Sequence, residues 1–104
     1  MTVRLTGSLA IPAGRRDAVL PLLAEHVRLT RAEPGCLAFE VAETPPGSGV
    51  LTVAEAFRDR AAFDAHQRRT RASAWGAATR DLPREYVVHD DADPALPAPP
   101  AADS

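Results

Sequence analysis

Apolar and polar residues alternate in several segments of the chain, and this period of two is typical of half-buried β-strands. In the first segment the apolar positions are Val3, Leu5, Leu9 and Ile11. The remaining predicted strands span residues 36–43, 50–57 and 84–89. In the second strand, Leu37, Phe39 and Val41 are expected to share one face.

Two longer segments have the spacing of amphipathic helices. The first covers residues 15–32 and contains Pro21, which removes a backbone hydrogen bond and predicts a kink or a first turn of different geometry. The second begins after Asp59, a good N-cap, and runs to about Thr70, while Ser73 is expected to cap a short helical piece. The order β-α-β-β-α-β is the split unit of the ferredoxin-like α+β folds. It predicts one antiparallel sheet with both helices on a single face.

The sheet face without helices is predicted to consist of small, weakly polar side chains. These residues are Thr6, Ser8, Ala10, Cys36, Ala38, Thr52, Ala54 and Ala56. Such a face has few charges to hold water and is better suited to docking on another sheet. We therefore expect a homodimer that forms through this face.

Composition narrows the class of protein. At 104 residues, 45% hydrophobic and 25% charged, the chain has the size and make-up of one soluble globular domain. A formal net charge of −2 argues against a nucleic-acid partner, and no apolar run approaches the roughly 20 residues of a membrane span. No signal-peptide pattern is visible, so we expect a cytoplasmic protein. Residues 1–90 are assigned to the domain, and residues 91–104, acidic and then rich in Pro and Ala, to a disordered tail.

Several chemistries have no motif in the sequence. There is no glycine-rich phosphate loop, and the histidines lack metal-binding spacings, so neither a nucleotide cofactor nor a metal is expected. The single cysteine, Cys36, excludes an internal disulfide and is expected to pack in the core.

Polar residues interrupt the apolar faces at three positions. His26 lies within the apolar stripe of the first helix, His66 shares a helical face with Phe63, and Glu55 shares a strand face with Leu51. Both helices cover that strand face, so His26, His66 and Glu55 are expected to converge on one cavity. The alternative is a purely structural pairing, since an unpaired buried charge costs several kcal/mol.

Three sequence blocks resemble the antibiotic biosynthesis monooxygenase family. They are residues 33–37 (EPGCL) leading into residues 39–41 (FEV), residues 55–57 (EAF), and the Ala-His pair at residues 65–66. The resemblance covers about residues 2–88 and implies a dimeric ferredoxin-like α+β barrel. It also implies small oxygenases that oxidise quinols, anthrones or similar phenols with O2 and without metal or flavin.

The resemblance suggests roles for individual residues. His66 fits the base that removes a proton from the phenol, and Arg71 or Trp75 is placed to donate a hydrogen bond to the developing oxyanion. The residues expected to line the substrate pocket are His26, Phe39, Glu55, Phe57, Phe63 and Tyr86.

Departures from the family pattern leave other functions open. Many relatives have a second histidine at the position of Arg71, and the haem-degrading branch needs an asparagine in the first strand, where this chain has Arg4 and Thr6. Haem cleavage is therefore not expected. A cyclase or isomerase that uses the same histidine without oxygen is one alternative, and a non-enzymatic module that binds a small hydrophobic ligand is another.

Overall fold

A computed structural model describes residues 1–91, and the side chain of Asp91 is not among the described groups. The strands are β1 (Thr2–Ala10), β2 (Cys36–Glu43), β3 (Val50–Phe57) and β4 (Arg84–Asp91). The helices are α1 (Arg16–Arg31), α2 (Arg60–Ala72) and α3 (Ala74–Thr79), with a 3₁₀ turn at Ala13–Arg15 before α1. All strand pairs are antiparallel and their order is β2-β3-β1-β4. The predicted ferredoxin-like α+β fold is confirmed.

The predicted helix starts are also confirmed. The Asp59 carboxylate accepts a hydrogen bond from the Ala62 backbone N–H at 2.8 Å, and the Ser73 hydroxyl accepts one from Gly76 at 3.0 Å. Pro21 lies inside α1, and the turn that precedes this helix has 3₁₀ geometry. Within residues 1–91, no helix is long and apolar enough to cross a bilayer.

The strand register places one polar residue at the centre of the helix-covered face. Glu55 of β3 lies opposite Leu5 of β1 on one side and Phe39 of β2 on the other. Directly opposed residues point to the same side of a sheet, so Glu55 is flanked by apolar side chains on both neighbouring strands. The sequence pattern alone had indicated the same face for Glu55.

Two glycines permit close contacts between neighbouring elements, Gly7 between β1 and β4 and Gly76 between α3 and the end of α2. A Cβ atom on Gly7 would lie 2.0 Å from the backbone oxygen of Glu85 and 2.6 Å from a ring carbon of Tyr86. A Cβ atom on Gly76 would lie 1.9 Å from the backbone oxygen of Thr70. The first glycine leaves room for the Tyr86 ring beside β1, and the second lets α3 pack against the end of α2.

The start of β2 differs from the sequence-based prediction. A register shift between Cys36 and Ala38 places Cys36 opposite Phe57 on the helix-covered side, so its assignment to the other face was wrong. Leu37 was expected to face inward with Phe39, yet it is 52% exposed. A bulge adds one residue to the strand and reverses the alternation before it, which explains both errors.

The opposite sheet face has no helix over it in the described part of the chain. It contains the other seven predicted residues, Thr6, Ser8, Ala10, Ala38, Thr52, Ala54 and Ala56. The central Thr52, Ala54 and Ala56 are buried between neighbouring strands, whereas Val87 on the edge strand is 55% exposed. β4 extends to Asp91, and the rest of the predicted disordered tail lies outside the described residues.

Two apolar clusters form the core between the sheet and the helices. The first consists of Leu9, Ile11, Val19, Leu51, Trp75 and Leu82. The second consists of Val3, Leu5, Val53, Phe57 and Phe63. His26 stacks on Trp75 of the first cluster and His66 stacks on Phe57 of the second, so two imidazole rings connect the two halves of the core.

Candidate active site

His66 is an almost fully buried polar side chain of the site. It projects from α2, is 2% exposed, and stacks on Phe57 with ring centroids 4.8 Å apart. Its Nε2 atom lies 3.7 Å from Glu55 Oε1 and 3.4 Å from the Thr70 hydroxyl. The His26 ring is 5.9 Å away, centroid to centroid. The structure therefore brings His26, Glu55 and His66 together.

A second carboxylate, which the sequence reasoning missed, binds the other side of the His66 ring. Nδ1 of His66 lies 3.1 Å and 3.3 Å from the two carboxylate oxygens of Glu33. Arg69 forms an ion pair with the same carboxylate and donates a hydrogen bond to the Thr30 hydroxyl at 2.9 Å. Glu33 is the first residue of the EPGCL segment at residues 33–37. Its position in the turn between α1 and β2 gave no indication that it contacts a residue of α2.

The electrostatics keep His66 neutral. Burial lowers its pKa and Arg69 lowers it further, while the charge and hydrogen bond of Glu33 act in the opposite direction. The net effect is a pKa below the ordinary value, so the imidazole is uncharged near pH 7. Because the Glu33 carboxylate can only accept, Nδ1 holds the proton and Nε2 accepts a hydrogen bond from the Thr70 hydroxyl at 3.4 Å, with Glu55 Oε1 3.7 Å away.

Glu55 is a carboxylic acid held in its protonated form. It is 7% exposed, and burial, with a contribution from the charge of Glu33, raises its pKa to about 8. Its Oε1 atom has no hydrogen-bond partner among the described residues. An ion pair with His66 would need two buried charges at 3.7 Å, and burial disfavours both of them. His66 is therefore a neutral base and Glu55 a neutral acid beside it.

His26 is enclosed by aromatic rings. It stacks on Trp75 at 5.3 Å and 12°, and meets Phe39 edge-on at 5.4 Å. Burial lowers its pKa to about 4, and the neighbouring His66 and Arg69 add to the effect. Its Nδ1 atom has no hydrogen-bond partner within residues 1–91. His26 therefore forms an uncharged wall of the site.

A cavity of about 290 Å³ opens next to these groups. It is lined by Leu5, His26, Glu55, His66, Gln67, Thr70, Arg71, Trp75, Gly76, Thr79, Arg80, Arg84 and Tyr86. The volume is near the lower end of small-molecule sites, and a cavity of about 150 Å³ already admits a benzene ring. Burial raises the pKa of Tyr86 to about 12; the charge of Arg84 lowers this pKa and the charge of Glu55 raises it. The Tyr86 hydroxyl therefore keeps its proton at neutral pH.

The predicted site residues fall into two groups. Arg71, Trp75 and Tyr86 line the cavity with His26, Glu55 and His66, although Arg71 is exposed. Three side chains predicted to line the pocket lie outside this wall: Phe39, Phe57 and Phe63. Phe39 and Phe57 contact the imidazole rings, and Phe63 packs on Phe57 at 5.8 Å. Phe57 and Phe63 therefore support the histidines rather than facing the cavity, whereas Phe39 also borders a small adjoining space of about 20 Å³ with His26, Glu55, Trp75 and Tyr86.

The entrance of the cavity is cationic. Arg71, Arg80 and Arg84 line it and are exposed. Two of them are held by the backbone, since Arg80 donates to the Arg71 carbonyl at 3.1 Å and Arg84 donates to the carbonyls of Leu82 and Thr79. Within residues 1–91, the His, Cys, Asp and Glu side chains form no group of three or more placed to hold a metal ion.

Comparison with known proteins agrees with this fold. Residues 2–78 match the model of the antibiotic biosynthesis monooxygenase family, and the chain belongs to this family. No curated protein matches the chain.

Solved structures of similar shape cover nearly the whole domain. Rv0793 from Mycobacterium tuberculosis is 27% identical, with 89% of this chain and 97% of that chain covered and a TM-score of 0.70. A protein described as an antibiotic biosynthesis monooxygenase is 26% identical, with 88% and 99% covered and a TM-score of 0.68. Protein SO0527 from Shewanella oneidensis, at 23% identity, 85% and 88% coverage and a TM-score of 0.67, shares the fold.

Proposed function

We propose that this protein is a cofactor-independent monooxygenase that oxidises an aromatic quinol, an anthrone or a polyketide-like phenol with O2. One observation supports this more than any other. Nε2 of the neutral, buried His66 and Oε1 of Glu55 lie 3.7 Å apart at a cavity with room for an aromatic ring. Membership of the antibiotic biosynthesis monooxygenase family agrees with this chemistry.

The first step is removal of a proton from the substrate. An ordinary phenol ionises near pH 10, so at neutral pH it needs a base that is uncharged and placed beside the hydroxyl. Nε2 of His66 belongs to an uncharged imidazole that lines the cavity, which supports its assignment as this base. Its Nδ1–H bond to Glu33 stabilises the imidazolium that forms, as a carboxylate does for a catalytic histidine.

Hydrogen-bond donors then hold the negative charge on the substrate oxygen. Protonated Glu55 and the Tyr86 hydroxyl both border the cavity and both retain their protons at neutral pH. Arg71 adds positive charge from the rim, and the Trp75 indole is a further donor in the wall. Donors fixed in a poorly hydrated cavity stabilise an oxyanion more strongly than water does.

The anion is electron-rich enough to reduce O2. For an anthrone, the ring CH2 carbon loses two hydrogen atoms and gains one oxygen atom as a carbonyl. The second oxygen atom leaves as water with those two hydrogens. The substrate gives up four electrons and O2 accepts four, so no further reductant is needed. The protein contributes the proton transfer and the cavity that positions the substrate.

The same pair of groups suits an isomerase or cyclase. A neutral base beside a neutral acid, as His66 and Glu55 are, moves protons between carbon and oxygen without any oxidant. Consumption of O2 distinguishes this second candidate from the first.

The test is O2 uptake with a panel of hydroquinones and anthrones. We expect uptake by the unaltered protein and a loss of about a hundredfold or more in His66→Ala. His89→Ala is the matched control, because His89 is exposed on β4, and it should keep full activity. Equal uptake by His66→Ala and the unaltered protein would refute the proposal, and product formation without O2 uptake would favour the isomerase.

We also propose that the protein is a cytoplasmic homodimer joined through the helix-free sheet face. The support is the row of small residues there and the 55% exposure of Val87 beside them. Light scattering coupled to gel filtration measures the mass. Ser8→Arg, in the middle of this face, should convert the dimer to a monomer, whereas Ala24→Arg on the exposed side of α1 should not.

A further inference from the structure

The His66 ring is held at both nitrogens by carboxyl groups that differ in character. Glu33 contacts Nδ1 at 3.1 Å, and Glu55 lies 3.7 Å from Nε2. Glu33 forms an ion pair with Arg69, whereas Glu55 is buried and remains protonated. The ring therefore has an anionic side and a neutral side.

The Glu33 carboxylate is fixed in place by its surroundings. Its backbone N–H donates to Thr30 at 3.0 Å, and its carbonyl accepts from Cys36 at 3.1 Å, so the turn between α1 and β2 is closed on both sides of it. Arg69 holds the side chain, and the Thr30 hydroxyl holds Arg69. The Glu33 side chain is 17% exposed, so it is screened little by water.

Glu33 also lies outside the proposed substrate cavity. It lines a separate groove of about 360 Å³ with Arg69, Arg58 and the Pro34-Gly35 turn. Of the two side chains that bind its carboxylate, Arg69 and His66, only His66 lines the cavity. A substrate in the cavity meets Nε2 of His66 and does not meet Glu33. Glu33 therefore acts on the substrate indirectly, through the imidazole ring that it contacts and through the effect of its charge on the pKa of Glu55.

We infer that Glu33 is the positioning residue of His66: it holds the proton on Nδ1, directs the Nε2 lone pair into the cavity and stabilises the imidazolium that forms there. Arg69 keeps the carboxylate aligned for this contact. The catalytic consequence rests on the proposed monooxygenase function, whereas the fixed tautomer is a property of the resting protein.

The pH dependence of His66 reflects the titratable and charged groups around it. Those nearest the ring are Glu33 in the turn after α1, His26 in α1, Glu55 in β3 and Arg69 in α2. Those that line the same cavity are Arg71, Arg80, Arg84 and Tyr86. His26 stays neutral because burial lowers its pKa to about 4. Among these groups, Glu33 alone is negatively charged and within hydrogen-bond distance of Nδ1. Its substitution therefore removes the anion that stabilises a protonated His66.

The test is ¹⁵N NMR of the imidazole nitrogens in the full chain, with His66 assigned by comparison with His66→Ala. We expect a protonated Nδ1 and an unprotonated Nε2 in the unaltered protein at pH 7. Glu33→Gln keeps an acceptor of the same shape but no charge, and His66 should then titrate about one pH unit or more lower. Glu33→Ala should shift the ring toward the Nε2–H tautomer. Glu40→Gln, which removes an exposed carboxylate paired with Arg31, is the control and should change neither property.

A protonated Nε2 in the unaltered protein, or an unchanged titration of His66 in a folded Glu33→Gln, would overturn the inference. With a substrate in hand, Glu33→Gln should lower kcat about tenfold or more with little change in KM, and shift the acidic limb of the pH profile. If no substrate consumes O2, the monooxygenase proposal fails while the NMR result still decides the role of Glu33.

Discussion

Replacement of Glu55 by Gln should remove a large pH dependence of stability. Burial raises the pKa of Glu55 to about 8 from an ordinary 4.5. Between these two values the folded protein keeps this proton and the unfolded chain has released it. Stability therefore falls as pH rises through this window, at about 1.4 kcal/mol per pH unit.

The difference between the two pKa values corresponds to about 5 kcal/mol in total, of which about 4 kcal/mol falls between pH 5 and pH 9. Well above pH 8 both states are ionised and the penalty is constant. A domain of this size has a total stability of about 5–15 kcal/mol, so the unaltered protein should be markedly weaker at pH 9 than at pH 5. Gln has nearly the same shape as a protonated Glu and does not ionise, so the variant lacks this one contribution.

The assay is urea unfolding followed by the fluorescence of Trp75, the only tryptophan, at pH values from 5 to 9. Between pH 5 and pH 9, the difference in unfolding free energy between Glu55→Gln and the unaltered protein should change by about 4 kcal/mol in favour of the variant. His26 titrates equally in both proteins and cancels. Glu40→Gln, on the exposed side of β2, is the control. Parallel stability curves for Glu55→Gln and the unaltered protein would refute the assignment of Glu55 as a buried neutral acid.

Two further predictions concern the walls of the site. Gly7→Ala should lower stability by about 1–3 kcal/mol, because its Cβ would lie 2.0 Å from the Glu85 carbonyl; Gly14→Ala, with nothing within 4 Å, is the control for thermal melts. Burial lowers the pKa of His26 to about 4, so the unaltered protein should lose stability as pH falls from about 6.5 through about 4. His26→Phe should lose less over that range in acid unfolding followed by circular dichroism, and an equal loss in both proteins would contradict this reasoning.

Local sequence patterns predicted the elements and part of the site. The alternation of residues 50–57 identified β3 and the face of Glu55, and Asp59 marked the start of α2. His66 was recognisable because it interrupts an apolar helical stripe. These features depend on residues within one element, where the backbone period alone determines which side chains are neighbours.

Other features depend on contacts between elements. Glu33 meets a histidine that lies 33 positions further along the chain, and neither residue has a periodic neighbour that indicates the other. The bulge after Cys36 follows from the pairing of β2 with β3. Arg71 lies five positions after His66, which is about 140° around a helix of 3.6 residues per turn, and this rotation explains its exposure at the rim.

The three arginines at the mouth of the cavity affect how fast a ligand arrives. The whole chain has a formal charge of −2, yet Arg71, Arg80 and Arg84 concentrate positive charge at the entrance. Phenols that bear a carboxylate should be drawn from bulk solution toward this opening faster than their neutral analogues. Added salt should reduce that advantage and leave the neutral compounds unaffected, because mobile ions shield attraction over distances of about 10 Å.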